Sequence, residues 1–480
     1  MTDTADDTRD GGAQRVAVGT LAMMVVGGMV GAGVFSLPRR FATETGVWGA
    51  LIAWAVAGTG MLMLAFVFQA LAVRKPDLNS GVYAYAKAGF GEYLGFFSAF
   101  GYWAAVCVGN VTYWILIMST LGALAPWLGE GNTLPAVALS TIGIWAFAAL
   151  VLRGTEEAAA INKVVTVAKI IPILVFIVLS IVYLDWDVFT DNLRGEGVGS
   201  LFSQVRGTML ATVFVFLGVE GASVYSRYAK KREDVGRATV LGFLAVLAVF
   251  ASVSIVSYGI LPRAEIAQLR QPSMAGVFEA AVGGWGAAFV GVGLIISVLG
   301  AYLAWTLMAA EVLFVAAKDD DMPRFLRRQN QANAPIAAIV ATTILTQVVL
   351  FVTMASENAF DFALNMTSAL SLFPFVLAAG YALKLAVTKE SYDDRPAGRT
   401  KEMTVAALAT LYTVFLLFAA GPKYMVLSLV IYAPGTVLFV VARREQGRTL
   451  FSPPEMVILA VSVIGAVVGV VALVAGWITV

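Results

Sequence analysis

Apolar residues in this chain run in blocks of about twenty, the length that crosses the hydrocarbon core of a bilayer. Short stretches rich in charge, proline and glycine separate them. A window of that length places spans near 15–38, 47–73, 93–125, 133–152, 160–184, 204–228, 237–261, 285–316, 335–354, 361–385, 403–421, 424–442 and 455–478, thirteen in all. The first block is interrupted: in VVGGMVGAGVFSLP, Gly27, Gly28, Gly31 and Gly33 fall within seven residues, and each weakens a helix by about 1 kcal/mol relative to alanine. A helix broken in hydrocarbon leaves N–H and C=O groups unsatisfied, so it survives only where it is buried in protein or lines a polar cavity. The pattern therefore predicts a break and, with it, a binding site at membrane depth.

A second interrupted block lies five spans later. In FVFLGVEGAS, Gly218 and Gly221 flank Glu220 at what should be membrane depth. Five is odd, so the first and sixth spans enter the membrane from opposite sides, as an inverted repeat requires. Paired glycine interruptions at corresponding places in two halves point to a transporter's substrate site; close helix packing over glycine is the plainer alternative for either stretch alone.

Composition agrees with the span pattern. Hydrophobic residues make up 59% of 480, charged residues 13%, and the mean hydropathy is +0.83, values that belong to an all-α integral membrane protein. We expect one polytopic unit over 15–480 after a disordered acidic tail, 1–14, that holds Asp3, Asp6, Asp7 and Asp10. No cleavable signal is expected. Lys and Arg should gather in cytoplasmic loops. With the N-terminus inside, Arg39, Arg40, Arg194, Arg206, Arg263, Arg270 and Lys423 fall outside, Lys169 falls within a span, and the rest of the 32 fall inside. Thirteen spans then put the C-terminus outside. The basic run from Arg227 to Arg237 reads as that positive-inside signal, and 386–402 reads as a solvated loop. The net charge of +1 gives no reason to expect nucleic acid. The chain has one cysteine, Cys107, and no histidine, so no disulfide, metal cluster or imidazole relay is expected. Without paired catalytic carboxylates, a nucleophile elbow or a phosphate-cradling loop, enzyme chemistry and ATP-driven pumping are disfavoured, and no cofactor is expected.

Three strings carry a resemblance: GAGVFSLP at the end of the first span, the loop KPDLNSGVYAYAK from Lys75 to Lys87, and FLGVEGASVYSRYAKKREDVGRATVLG from Phe216 to Gly242. They resemble the amino acid/polyamine/organocation superfamily, within it the basic amino acid antiporters, and most of all the arginine/ornithine antiporters and related lysine permeases. The resemblance implies a leucine-transporter-type five-plus-five inverted repeat, about 15–184 and 204–385, with extra helices over 403–478. It also implies a basic amino acid substrate and a cytoplasmic membrane location. A homodimer and a monomer both remain open.

An amino acid brings a carboxylate and an ammonium to the midplane, and neither can be left unpaired there. A half-helix starting near Ala32 and Gly33 offers N–H groups to the carboxylate. Carbonyls at the preceding half-helix ends, near Met29 and Phe216-Leu217, suit the ammonium. The resemblance supplies further positions. Trp305 is similar to the eighth-span tryptophan on which arginine/agmatine antiporters stack a guanidinium. Asn110, with Ala105 and Val106 beside it, is similar to a third-span asparagine that contacts substrate. Thr367 and Ser368 fall where a tenth-span hydroxyl contributes. Taken alone, Trp305 reads as a packing aromatic and Asn110 as interhelical glue.

Glu220 resembles a sixth-span glutamate that acts as gate and proton sensor, with Tyr102 as its tyrosine; a structural hydrogen bond is the plainer role. An ionisable side chain at such depth is a functional candidate by default. Lys169, three residues before Pro172, resembles a lysine whose ammonium occupies the space of a sodium ion in sodium-coupled relatives; snorkelling to the surface is the alternative. Two positions depart from the arginine/agmatine branch: Ala32 stands where that branch has serine, and Phe214 where it has a gating tryptophan. The expected function is exchange of arginine for ornithine by alternating access. Lysine uptake, proton-coupled or facilitated, and a sensor that binds without transport are the competing readings.

Overall fold

The computed structural model describes residues 18–78, 82–153, 156–220, 232–356, 358–392 and 398–479, and every regular element among them is helical. The expectations for the tail 1–14, for the Asn79–Gly81 part of the Lys75–Lys87 loop, for the second half of the sixth span and for most of the Arg227–Arg237 run lie outside the described residues.

The first span is built from three pieces, an α-helix Val18–Met29, a 3-10 turn Ala32–Ser36 and an α-helix Leu37–Glu44. Gly27 and Gly28 remain helical, and the chain unwinds at Val30–Gly31. The next spans are Val47–Arg74, Glu92–Gly122, Leu134–Arg153 and Glu156–Val182. The sixth span runs as a helix over Leu201–Phe216 and turns out of it at Leu217–Glu220. Spans seven to ten are Arg232–Ser257, Gly284–Lys318, Ile336–Thr353 and Ala359–Thr388. The helix Arg399–Glu445 is two spans joined end to end, because Gly421 (φ 71, ψ 171) breaks it beside Pro422. Pro453–Val474 is the last span. Nine helices among the described residues are long and apolar enough to cross a membrane, one of them double. Counted as two spans, the double helix brings these to ten, and the first span, the described part of the sixth and Glu156–Val182 make thirteen among the described residues. Short helices Val82–Phe90, Trp186–Asp191, Arg263–Ile266 and Ser273–Val282 fill stretches that hydropathy reads as loops.

The third span is the axis of the bundle: it is buried almost from end to end and packs against the eighth and tenth. The thirteenth lies at the rim with most of its apolar surface outward.

Charged side chains divide into two sets, as the alternation of span direction requires. Arg40 pairs with Asp361 at one end. At the other end Arg74 pairs with Glu402, Lys75 with Glu390, Lys87 with Asp321, and Arg443 with Glu92 and Glu455. Adding or removing one span would force later pairs to reach across the membrane. Within the stretch 386–402, Tyr392 is held out of solvent. Arg74 stacks 3.7 Å over the Tyr392 ring, Tyr392 is buried, and its hydroxyl donates to Glu402 at 2.7 Å.

The Lys87–Asp321 pair ties the Val82–Phe90 helix to the turn after the eighth span, with Nζ 2.6 Å from Oδ1. Burial pushes the Asp321 carboxyl up to about 6, against a smaller opposing pull from Lys87. The folded state thus holds this proton more tightly than the unfolded chain, so the carboxyl costs stability above about pH 6 and less as pH falls toward 4. Melting of detergent-solubilised protein should show wild type gaining on Asp321→Asn between about pH 7 and pH 5; a difference that is flat or of opposite slope contradicts this.

Candidate functional site

The two interruptions meet face to face. Gly218, in the turn after Phe216, has φ +103, and a Cβ on it would lie 2.8 Å from the Gly28 carbonyl oxygen. A Cβ on Gly33 would lie 2.7 Å from Val215 Cγ1 and 2.8 Å from Phe214 Cδ1. Each interruption can approach the other span this closely only because Gly218 and Gly33 carry no side chain.

Between them lies a cavity of about 30 Å3, room for about two water molecules. The first span lines it from Met29 through Ala32 and Gly33, and the sixth span contributes Phe214 and Leu217. No side chain caps the first N–H groups of the Ala32–Ser36 turn, which faces this space. Anions are stabilised at such uncapped starts, and cations at the helix ends that Met29 and Leu217 mark. The third span adds Tyr102, Ala105, Val106 and Asn110, the eighth adds Trp305, and the tenth adds Thr367. Asn110 donates from Nδ2 to Thr306 Oγ1 at 3.1 Å, while its buried Oδ1 has no hydrogen-bond partner. A buried acceptor left unmade costs roughly 1–3 kcal/mol, so the Asn110 oxygen favours a donor placed in the cavity. Trp305 is half-buried at the wall.

Glu220 lies just behind the cavity wall, in contact with Tyr102. It is buried, accepts from the Tyr102 hydroxyl, and accepts the Gly218 N–H at 3.0 Å. Tyr102 itself lines the cavity, so the carboxylate stands one side chain away from it. Lys169 is 3% exposed, and its Nζ donates to the Gly27 carbonyl at 2.5 Å. It does not snorkel. Gly27 is in the last turn of Val18–Met29, where carbonyls lack helical partners, and an ammonium there contributes roughly 0.3–2 kcal/mol through charge and hydrogen bond.

Two predicted positions sit elsewhere. The Phe216 ring is fully buried, stacked on Phe243 and flanked by Trp54 edge-on and Phe250 at a tilt, and its carbonyl accepts the Val219 N–H at 3.1 Å. Leu217, one residue on, faces the cavity instead. Ser368 turns away and donates to the Leu210 and Leu364 carbonyls at 2.7 and 3.1 Å. The cavity wall also holds Gly31, Val34, Gly109, Tyr113, Val215, Phe250 and Ser371, which sequence reasoning missed. Helical spacing could have found two of them: Tyr113 lies three residues after Asn110, and Ser371 four after Thr367, each one turn along the same face.

The amino acid permease family matches residues 18–442. The chain belongs to that family. Among relatives, this permease is 46% identical over 475 residues to the arginine/ornithine antiporter of Pseudomonas aeruginosa, covering 97% of this chain and 98% of the other. It is 40% identical to the L-lysine transport protein of Corynebacterium glutamicum, covering 96% and 95%. The crystal structure of the Eremococcus coleocola manganese transporter matches the permease with a TM-score of 0.54 at 13% identity, covering 94% of each chain. That likeness is one of fold, and it places the permease among leucine-transporter-type five-plus-five inverted repeats.

Alanine at Gly218 should be costly, since left-handed backbone strains a side-chain-bearing residue by roughly 1–2 kcal/mol and its Cβ would press on the Gly28 carbonyl. Gly91→Ala is the control, because Gly91 has φ +96 but open space around its Cβ position. Gly218→Ala should melt at a clearly lower temperature than Gly91→Ala, and equal melting would show that the two breaks do not touch.

Proposed function

We propose that the permease exchanges cationic α-amino acids, arginine moving one way as ornithine moves the other, by alternating access in the cytoplasmic membrane. One observation carries the reading. An uncapped half-helix start at Ala32–Gly33, half-helix ends at Met29 and Leu217, the unpartnered Asn110 oxygen and the Trp305 indole all border a single cavity. The helix termini suit the carboxylate and ammonium common to every α-amino acid, and Asn110 and Trp305 suit a long cationic side chain. The relative from Pseudomonas aeruginosa, named as an arginine/ornithine antiporter, supports the choice of substrates.

In this proposal the substrate carboxylate lies against the Ala32 and Gly33 N–H groups, with no hydroxyl at position 32 to assist. Its α-ammonium lies toward the Met29 and Leu217 carbonyls. Ala105, Val106 and Thr367 shape the wall along the side chain, the guanidinium stacks on Trp305, and Phe214 covers the substrate. About 30 Å3 is too little space for arginine, so binding widens the cavity. Glu220 and Tyr102 act as a gate, and protonation of the carboxylate would weaken their bond. Lys169 supplies a fixed positive charge at Gly27, so no sodium ion is needed there. The N-terminus faces the cytoplasm and the C-terminus the outside, because the more basic end of the bundle is then cytoplasmic.

Swapping substrates of equal charge makes the cycle electrically silent. The test is counterflow in proteoliposomes. Labelled arginine should enter vesicles preloaded with ornithine, enter empty vesicles only slowly, and be indifferent to replacing sodium by choline. Equal uptake into empty vesicles favours net lysine-type uptake, the reading that the Corynebacterium glutamicum relative supports; binding without flux defeats both.

Trp305→Ala removes an aromatic–cation contact worth roughly 0.5–2 kcal/mol, so the KM for arginine should rise about 2- to 30-fold. An unchanged KM in a well-folded variant removes Trp305 from the site.

A further inference from the structure

A second and far larger hollow, about 1000 Å3, lies among the first, second, seventh, tenth and eleventh spans, and it shares no lining residue with the cavity described above. Its mouth is at the basic end of the bundle, where Arg74 ends the second span, Arg237 lies near the start of the seventh and Lys401 near the start of the eleventh. From there an apolar wall of Phe66, Val73, Val240, Leu241 and Val405 runs along the spans. Val73 is 46% and Leu241 57% exposed, so the hollow opens sideways, toward lipid rather than along the substrate path.

Among the described lining residues, the charges at its mouth are unbalanced. Glu402 is the carboxylate on the lining, and Arg74 holds it with two nitrogens at 2.7 and 3.0 Å while the Tyr392 hydroxyl donates to it at 2.7 Å. Arg237 and Lys401 are exposed, and among the described residues neither has an ion-pair or hydrogen-bond partner. Two cations at the polar end of an apolar groove match an amphiphile with an anionic head and hydrocarbon tail, and basic pockets between membrane helices bind anionic lipid headgroups.

We infer that this groove is a binding site for an anionic phospholipid, its phosphate between Arg237 and Lys401 and an acyl chain along Val240, Leu241 and Phe66. The site is independent of the substrate reading. It clamps the seventh span to the second and eleventh, so occupancy stabilises the bundle.

The test uses full-length, delipidated protein and native mass spectrometry with phosphatidylglycerol or phosphatidylcholine. Phosphatidylglycerol should be retained preferentially. Arg237→Gln with Lys401→Gln should weaken retention roughly thirtyfold, the equivalent of about 1 kcal/mol per basic residue. Val240→Trp, which fills the wall and leaves the charges alone, should weaken it too. Undiminished retention in either variant, or equal retention of phosphatidylcholine, overturns the inference. So does displacement by soluble glycerol 3-phosphate, which would make this a small-anion site. A preference that emerges only after Asp3, Asp6, Asp7 and Asp10 are changed to asparagine also overturns it, since the chain's own terminus would then be the occupant.

Discussion

The close approach of two interrupted spans at membrane depth is the constraint on which the rest of the molecule depends. Hydrocarbon offers no hydrogen bonds, so a helix that opens at Val30–Gly31 must have its exposed groups enclosed by other protein. The structure encloses them by setting the break against the turn at Leu217–Glu220, with Gly218 close to the Gly28 carbonyl and Gly33 against Phe214 and Val215. Packing to glycine distance excludes lipid from the opened segments. It also brings helix starts and helix ends of opposite partial charge to the same small space, an electrostatic pattern that suits a zwitterion.

The buried third span follows from that arrangement. Tyr102, Ala105, Val106, Gly109, Asn110 and Tyr113 recur at helical spacing and form one face toward the broken segments. Small residues in the middle of that face leave room between walls, and polar groups stand above and below. Cys107, just off this stripe, is buried away from the cavity.

Much of this was legible in the chain and some was not, for definable reasons. Hydropathy and glycine placement show the spans, the first break and the turn near Gly218, because long apolar runs and missing side chains act locally. Lys169 stands out because an ammonium at depth demands a partner, although the chain alone does not say that the partner is a carbonyl of another span. The Phe216 ring and the Ser368 hydroxyl lie off the cavity wall, because adjacent residues on a helix differ by about 100° and helical phase near a helix end is not legible to one residue. The spans 403–421 and 424–442 leave only Pro422 and Lys423 between them in the hydropathy pattern, and there the chain kinks at Gly421 and continues helical. The burial of Tyr392 depends on Arg74, more than three hundred residues away in sequence.

The two halves of the first span are held by different neighbours. At Val18–Met29, Lys169 of the fifth span fastens the Gly27 carbonyl, and the helix lies along the seventh span. Beyond the break, Arg40 pairs with Asp361 at 3.3 Å and donates to Asn365 at 2.8 Å, and Asn365 donates to the Tyr424 hydroxyl of the twelfth span at 3.0 Å. Such a buried polar cluster contributes little net stability but penalises any arrangement that leaves a member unpaired, so it favours one discrete position over a continuum. A helix anchored separately at each end and unwound between can shift one half without dragging the other, which is the hinge geometry a two-state element requires. The break thus lines the cavity and also separates the two anchored halves of the span.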